Sequence, residues 1–114
     1  MNDNPEIEIE HTLRRMANYV LLIRWTDQGI RNIKDTINRA AAARKEVEKL
    51  GGKLTIYWTL GKYDLVGILE APDDESAMQI SLRFGSQGNV RTQTLRAFTE
   101  QETSGVISKL GLTA

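Results

Sequence analysis

The sequence has no cysteine, and it has only one histidine and two prolines among its 114 residues. Without cysteine the chain has no disulfide, no thiolate nucleophile and no cysteine-ligated zinc site. A single histidine excludes a metal site with two histidine ligands from one chain, and it argues against a serine–histidine triad. Fifteen basic residues balance fifteen acidic ones, so no net charge attracts nucleic acid or an anionic membrane.

Long apolar runs are also missing. No run approaches the roughly 20 residues that span a bilayer, and the N-terminus lacks the basic and apolar regions of a secretory signal. We therefore expect a cytoplasmic protein with neither a nucleic-acid nor a membrane partner. The chain length suits one domain, which we place at residues 16–102. Acid-rich residues 1–15 are predicted to form a flexible N-terminal extension, and residues 103–114 a C-terminal tail or short helix.

The first part of the domain has the pattern of a strand followed by a helix. The β-branched and apolar run from Tyr19 to Trp25 predicts a buried strand. Thr26 or Asp27 then supplies a helix N-cap, because its side-chain oxygen accepts from free backbone N–H groups. Gly51 ends the helix, since glycine tolerates the left-handed conformation there. The apolar positions at helical spacing are Ile30, Ile33, Ile37, Ala40, Ala41, Val47 and Leu50.

Two further strand patterns, residues 53–60 and 63–71, are separated only by Gly61-Lys62. A two-residue loop with glycine first is typical of a type II′ β-hairpin. Counting outward from that turn places Tyr57 opposite Val66 and divides the hairpin into a core face and a mixed face. The core face carries Leu54, Ile56, Trp58, Leu60, Tyr63, Leu65, Gly67 and Leu69, and the mixed face carries Thr55, Tyr57, Thr59, Asp64, Val66, Ile68 and Glu70.

A second helix and a fourth strand complete the pattern. Asp73 is a good N-cap, and the acidic residues after it suit the positive end of a helix dipole. The fourth strand, residues 90–99, alternates poorly because polar residues occupy successive positions. The order strand–helix–strand–strand–helix–strand predicts an α+β fold of the ferredoxin-like type. In that fold a four-stranded antiparallel sheet has both helices on one face.

The other face of such a sheet stays open unless something covers it. We predict that it carries Thr55, Tyr57, Val66 and Ile68, together with Val20 and Leu22. This surface is too apolar for bare water and too polar for an ordinary core. We therefore predict a homodimer, a dimeric α+β barrel, in which two open faces pair around a partly polar chamber. The alternative is that the C-terminal segment folds back over the sheet.

Several short stretches make the sequence similar to the GYD domain family, whose signature is Gly-x-Tyr-Asp. Here the signature reads Gly61-Lys62-Tyr63-Asp64. The resemblance extends to residues 26–32, 57–60, 70–75, 88–92 and 94–98. It covers roughly residues 16–102 and implies a ferredoxin-like relative of the dimeric α+β barrels. It implies no settled biochemical activity, and we expect no cofactor and no metal.

The chemistry-bearing side chains gather around the predicted hairpin. Asp64 opens onto the mixed face, where a carboxylate can act as a base or bind a cation. A neighbouring arginine would form an anion or carboxylate clamp, and a structural salt bridge is the alternative. A structural role for the signature is also open, with Tyr63 packing and Asp64 bonding to Thr59 across the hairpin. The candidate ligand-binding residues are Asp64, Tyr57, Thr59, Arg24, Arg96 and Tyr63, and the poor alternation of its strand leaves the face of Arg96 undecided.

Trp25 and Trp58 fall on the helix side by the same count, but a register shift of one residue would move both to the open face. His11 lies among acidic residues of the N-terminal extension, where a solvated tail is favoured over a metal site. The middle strands also lack the exposed aromatic and basic residues of an RNA-binding ferredoxin-like domain.

We predict from these residues a homodimeric module that binds or senses a small molecule. Binding is favoured because only one convincing acid–base group, Asp64, points at the chamber. The first alternative is a cofactor-free enzyme of the oxygenase or isomerase type that uses Asp64 or Tyr57 for proton transfer. The second is an assembly protein whose open face only makes contacts.

Overall fold

A computed structural model of the chain describes residues 16–113, so the extension predicted for residues 1–15 lies outside the described part. The strands are β1 (Ala17–Trp25), β2 (Lys53–Trp58), β3 (Leu65–Ala71) and β4 (Val90–Ala97). The helices are α1 (Asp27–Arg31), α2 (Thr36–Lys49), α3 (Asp74–Ser86) and α4 (Glu100–Ser108), with a 3-10 helix over Ile33–Asp35. No helix in the described part is long and apolar enough to cross a membrane.

The four strands form one sheet in the order β2-β3-β1-β4, and every neighbouring pair is antiparallel. Both long helices, α2 and α3, contribute side chains to a core on the same face of this sheet. The predicted α+β, ferredoxin-like arrangement is therefore confirmed. The sheet does not close within one chain, so the barrel part of the prediction depends on a second copy.

Side chains of β1 alternate strictly between the core and the opposite face. Leu21 of β1 and Leu69 of β3 are fully buried, and Val47 of α2 packs with them from the helix side. Full burial of one such side chain stabilises the fold by about 1.5–3 kcal/mol relative to its exposure. The core cluster consists of Ala17, Tyr19, Leu21, Ile23, Val47, Leu54, Leu65, Leu69, Ala71, Ala77 and Ile80.

The register predicted for the hairpin is confirmed over its paired residues, because Tyr57 pairs with Val66. Both tryptophans accordingly lie on the helix side. Trp25 packs against the core cluster. The indole Nε1 of Trp58 donates a hydrogen bond to Oγ1 of Thr36 in α2 at 3.1 Å. Leu60, which counting placed on the core face, is instead fully exposed in the loop after β2.

The hairpin turn differs from the predicted one. Residues 59–64 join β2 to β3 in place of a two-residue type II′ turn. Gly61 has the positive φ expected of it, 106°, and the N–H of Thr59 still donates to the carbonyl oxygen of Asp64 at 2.9 Å. The loop is wider because Asp64 also donates its own N–H to the carbonyl oxygen of Ile23 in β1 at 2.8 Å. A contact with a distant strand thus overrides the local turn preference.

The single helix predicted after β1 is broken into α1, the 3-10 helix and α2. The break follows the docking of α1 against the loop that precedes β4. Thr26 donates its N–H to the carbonyl oxygen of Asn89 at 3.0 Å, and Nε2 of Gln28 donates to Oδ1 of Asn89 at 3.0 Å. The apolar stripe is consequently divided. Ala40 and Val47 are buried, whereas Ile30, Ile33, Ile37 and Leu50 are exposed.

Both later helices begin at side-chain caps. Asp73 accepts from the N–H of Ser76 at 2.8 Å, as predicted, and this bond lowers the pKa of the Asp73 carboxyl. Thr99 and Glu102 form a capping box at the start of α4, each side chain accepting from the backbone N–H of the other. The helix predicted near the C-terminus is therefore present as α4.

Tyr19 gives the fold a specific dependence on alkaline pH. The residue is buried in the core, and its hydroxyl donates to Oδ1 of Asp74 at 2.5 Å. Burial, reinforced by the Asp74 carboxylate, raises the pKa of Tyr19 from 10.0 to about 12. Between these two values the folded chain holds a proton that the unfolded chain has released, so stability falls as pH rises through this range.

This loss is measured as the difference in unfolding free energy between the wild type and Tyr19→Phe. We expect the difference to be constant near neutral pH and then to shift against the wild type by up to about 3 kcal/mol as the pH rises from 10 through 12. Urea unfolding along a pH series gives both curves. Parallel curves throughout would show that Tyr19 ionises equally in the folded and unfolded chains.

Candidate functional site

The sheet face opposite the helices is uncovered in the single chain. Across the middle of this face, the side chains form two rows that run from strand to strand. These rows are more apolar than the residues at either end of the strands. Ile68 and Leu95 are 42% and 41% exposed there. Glu102 of α4 pairs with Arg96 on the helix face, so the described part of the C-terminal segment leaves this open face bare. The central rows are Tyr57–Val66–Leu22–Gln93 and Thr55–Ile68–Val20–Leu95.

Asp64 is bonded to the backbone through both its side chain and its main chain. Its Oδ2 accepts from the N–H of Trp25 at 2.9 Å, at the end of β1. Its N–H donates to Ile23, and its carbonyl oxygen accepts from Thr59. These bonds join the beginning of β3 to the end of β1, which gives the half-buried carboxylate a structural role. The partner of the side chain is Trp25 and not Thr59.

Thr59 and Tyr63 close the loop that ends at Asp64. Oγ1 of Thr59 donates to the carbonyl oxygen of Tyr63 at 2.8 Å. The side chain of Tyr63 does not lie on the core face where counting placed it. Its hydroxyl donates to Oε1 of Gln93, on the open face, at 3.1 Å. Strict alternation fails here because residues 59–64 have left the paired strands.

A cationic groove of about 300 Å³ lies beside Tyr63 on the open face. The Arg24 guanidinium lies over the ring of Tyr63, 5.3 Å from its centroid, and Nζ of Lys62 is 5.7 Å from the same centroid. Arg91 of β4 is the direct partner of Arg24 across the sheet. Within residues 16–113, no acidic side chain lines the groove. Its lining residues are Leu22, Arg24, Lys62, Tyr63, Arg91, Thr92 and Gln93.

The sequence indicated Arg24 and Tyr63 but not the other polar lining residues. Arg91 and Gln93 were missed because β4 has polar residues on both faces, which hides its alternation. Lys62 was missed because it was assigned only to the turn. One signal for Arg91 was available: the residue opposite Arg24 in an antiparallel pair must share its face.

Arg96 lies on the helix face and does not meet Asp64. It is the partner of Tyr19 in the β1–β4 pair, and its guanidinium lies 5.5 Å from the Tyr19 ring centroid. Its Nη2 is 3.5 Å from Oε2 of Glu102, and its Nε is 3.9 Å from Oδ1 of Asp74. Arg96 therefore connects the sheet to α3 and α4, and it forms no clamp on the open face.

Tyr57 lies on the open face but apart from the groove. It belongs to β2, the edge strand, and is 59% exposed. Its neighbour across the sheet is Val66. The six candidate residues thus divide into open-face side chains (Arg24, Tyr57, Tyr63), loop-closing side chains (Thr59, Asp64) and one helix-face side chain (Arg96).

A smaller cavity of about 70 Å³ lies between the sheet and the helices. Ile23, Leu65 and Phe84 are among its apolar lining residues. Nη2 of Arg39, another lining residue, is buried without a hydrogen-bond partner among residues 16–113, whereas Nη1 donates to the carbonyl oxygen of Asn32 at 2.8 Å. Across that same range, no group of three or more His, Cys, Asp or Glu residues is placed to hold a metal ion.

Comparison with known proteins gives the same family as the sequence motifs. The family model described as "GYD domain" matches residues 19–107. The chain belongs to the GYD domain family. A relative from Thermus thermophilus, named "Glutamine synthetase and cystathionine beta-lyase binding protein", is 31% identical over 84 residues, which cover 72% of this chain and 88% of the relative. No solved structure matches the chain.

The signature of this GYD protein builds one wall of the groove. Gly61 provides the positive φ of the loop, Tyr63 reaches Gln93, and Asp64 fixes the loop to β1 through Trp25. The signature residues therefore determine where the ring of Tyr63 lies.

Another stretch of the GYD resemblance, residues 26–32, holds α1 against the loop before β4. Oγ1 of Thr26 donates to the carbonyl oxygen of Gly88 at 2.5 Å and accepts from the N–H of Gly29 at 3.1 Å. A Cβ added at Gly29 would lie 2.1 Å from the carbonyl oxygen of Asn89. Glycine is required there because the two backbones approach too closely for any side chain.

Proposed function

We propose that this GYD protein is a homodimeric binding module, with the open sheet face of one copy pairing with that of a second. The observation that carries the proposal is the exposed apolar surface of the two central rows on that face. A face of this kind in a folded protein marks an interaction site. A second copy is a suitable occupant because a two-fold axis through the sheet would set the same apolar rows against each other. The pair would form the dimeric α+β barrel predicted from the sequence.

The polar residues at the two ends of this face support its pairing with another folded chain, because a surface buried inside one core would be apolar throughout. One end carries the cationic groove, and the other carries Asn18 beside Glu70, which pair with each other across β1 and β3. Apolar rows in the middle with polar rows at the rim match the usual anatomy of a protein interface. Paired sheets would enclose the candidate residues Arg24, Tyr57 and Tyr63 in the partly polar chamber between them. We propose that the bound small molecule lies there.

Binding fits the geometry better than catalysis. The carboxylate of Asp64 accepts from the backbone of Trp25 and fixes the fold, so using it as a base would cost that bond. The name of the Thermus relative also describes binding, in its case to two enzymes. We propose that the macromolecular partner of this chain is likewise a metabolic enzyme. Residues 16–102, with α4 extending beyond them, are proposed as the binding domain.

The homodimer is tested by changing Ile68 at the centre of the open face. Ile68→Lys places a charge in the proposed interface, whereas Ile37→Lys makes the same change on α2, where Ile37 is 61% exposed. Light scattering after size-exclusion chromatography is expected to give twice the mass of one chain for the wild type and Ile37→Lys. Ile68→Lys is expected to give the mass of one chain. Circular dichroism confirms that each variant is folded.

A wild type with the mass of one chain at micromolar concentration, or equal masses for both variants, would contradict the homodimer.

The enzyme partner is tested with the same three proteins over immobilised glutamine synthetase and cystathionine β-lyase from the host of this chain. We expect the dimeric proteins to bind one of the two at least tenfold more tightly than the monomeric variant, because two linked sites add avidity. Failure with both enzymes would remove that partner and leave the dimer intact.

A further inference from the structure

We infer that the cationic groove binds a small dianion, a molecule with a phosphate group or with two carboxylates. This inference rests on the small-molecule part of the proposed function and names its ligand class, but it does not depend on the dimer, since one chain supplies every groove residue. It starts from the crowding of positive charge. Arg24 and Arg91 are direct partners in the β1–β4 pair and share the open face. Side chains in such positions lie close together, and like charges there destabilise the sheet.

The positive charges of the groove are not neutralised by the described part of the chain. Among residues 16–113, no carboxylate oxygen lies within 4 Å of the charged atoms of Arg24, Lys62 or Arg91. Two arginines elsewhere in the described part are neutralised. Arg83 pairs with Glu46 at 2.8 Å, and Arg96 pairs with Glu102 at 3.5 Å. A bound dianion would remove the repulsion that the fold itself leaves at the groove.

The groove also orients its donors. The Arg24 guanidinium lies over the ring of Tyr63, 5.3 Å from its centroid, and the Tyr63 hydroxyl donates to Oε1 of Gln93. A guanidinium that lies over an aromatic ring keeps N–H groups free to bind an oxyanion. Gln93 accepts through Oε1, which leaves its Nε2 to donate. These contacts bring Arg24, Tyr63 and Gln93 together at the groove without a ligand.

The size and lining of the groove define the class of ligand. A volume of about 300 Å³ is at the lower end of the range for small-molecule sites. Two guanidinium groups each suit two-point binding of a carboxylate or phosphate, so the pair favours a molecule with two negative charges over chloride. Leu22 adds an apolar surface for a short carbon chain. A phosphate ester and a short dicarboxylate both meet these requirements.

The inference is tested by calorimetric titration of the full chain with inorganic phosphate and, separately, with succinate. Sodium chloride holds the ionic strength constant, and chloride alone is the blank. Saturable binding of at least one dianion is expected. Arg91→Gln and Arg24→Gln are each expected to weaken it about tenfold or more, the effect of one charge-assisted hydrogen bond. Arg31→Gln removes the same charge at the exposed end of α1 and is expected to change nothing.

The two probes distinguish the two sources of the anion. Tighter binding of phosphate supports a phosphate ester as the natural ligand, and tighter binding of succinate supports a dicarboxylate. The inference is overturned if neither probe binds above the chloride blank, or if Arg31→Gln weakens binding as much as Arg91→Gln does. Because ligand binding is measured directly, its outcome is independent of whether the wild type proves dimeric or monomeric.

Discussion

Gly29→Ala is expected to destabilise the fold by about 3 kcal/mol, the upper end of the cost of forcing extra atoms into a packed site. The new Cβ would lie 2.1 Å from the carbonyl oxygen of Asn89, which belongs to the backbone and cannot rotate away. Relief requires α1 to move off the loop before β4. That movement also lengthens the hydrogen bonds of Thr26 to Gly88 and Asn89. Equilibrium urea unfolding measures the loss.

Gly85→Ala is the matched control for this prediction. Gly85 lies in α3, and a Cβ there meets nothing within 4 Å. Alanine favours the helix over glycine by up to about 1 kcal/mol, so this variant is expected to equal or exceed the wild type in stability. If Gly29→Ala proved as stable as Gly85→Ala, the close approach of α1 to Asn89 would not exist in solution.

Asp64→Ala is expected to cost about 3 kcal/mol, because a charged acceptor is lost and the N–H of Trp25 is left without its partner. The change removes the side-chain bond between the loop and the end of β1. Asp64→Asn keeps an acceptor oxygen and is expected to recover part of the loss. The free energy of unfolding from urea titrations decides between them.

Asp35→Ala serves as the control, since the side chain of Asp35 makes no cap hydrogen bond at the start of α2. A solvated carboxylate of this kind is expected to change stability by less than about 0.5 kcal/mol. An Asp64→Ala variant as stable as Asp35→Ala would show that the carboxylate is available for ligand or proton chemistry instead. The structural role assigned to the GYD signature would then be wrong.

Sequence patterns predicted the parts of the fold that depend on interactions between neighbouring residues. The apolar run of β1, the Asp73 cap and the alternation in the hairpin gave the element order and the register of Tyr57 with Val66. Each of these depends on residues close together in the chain. The open face followed from the same alternation, because a strand with one buried face must present the other.

Long-range contacts account for what the sequence did not reveal. The helix after β1 breaks because Gly29 and Thr26 dock on the loop before β4, some sixty positions along the chain. The turn between β2 and β3 opens because Asp64 bonds to β1. In both places a contact between residues distant in the chain, which no local pattern encodes, decides the geometry. For the same reason the sequence predicted only part of the groove, because pairing of β1 with β4 is what brings Arg91 beside Arg24.

These contacts also indicate what the GYD signature does. Its residues shape a loop, fix that loop to β1 and hold Tyr63 beneath Arg24, without placing a free carboxylate in the groove. We expect the ligand specificity of GYD proteins to vary with the residues at the positions of the groove cations Lys62 and Arg91. Lys62 occupies the variable position of the signature, and Arg91 lies outside it. The signature would then mark the scaffold, and the neighbouring residues the ligand.

The most direct test of the central proposal, that two open faces pair, is a cross-linking measurement on single-cysteine variants. The absence of native cysteine makes each introduced thiol unique. Val20→Cys lies in a central row of the open face, and Ile37→Cys lies on the exposed side of α2. A bismaleimide spanning about 10 Å matches the spacing of stacked sheets. The proposal predicts a covalent dimer for Val20→Cys and single chains for Ile37→Cys, and single chains for Val20→Cys would contradict it.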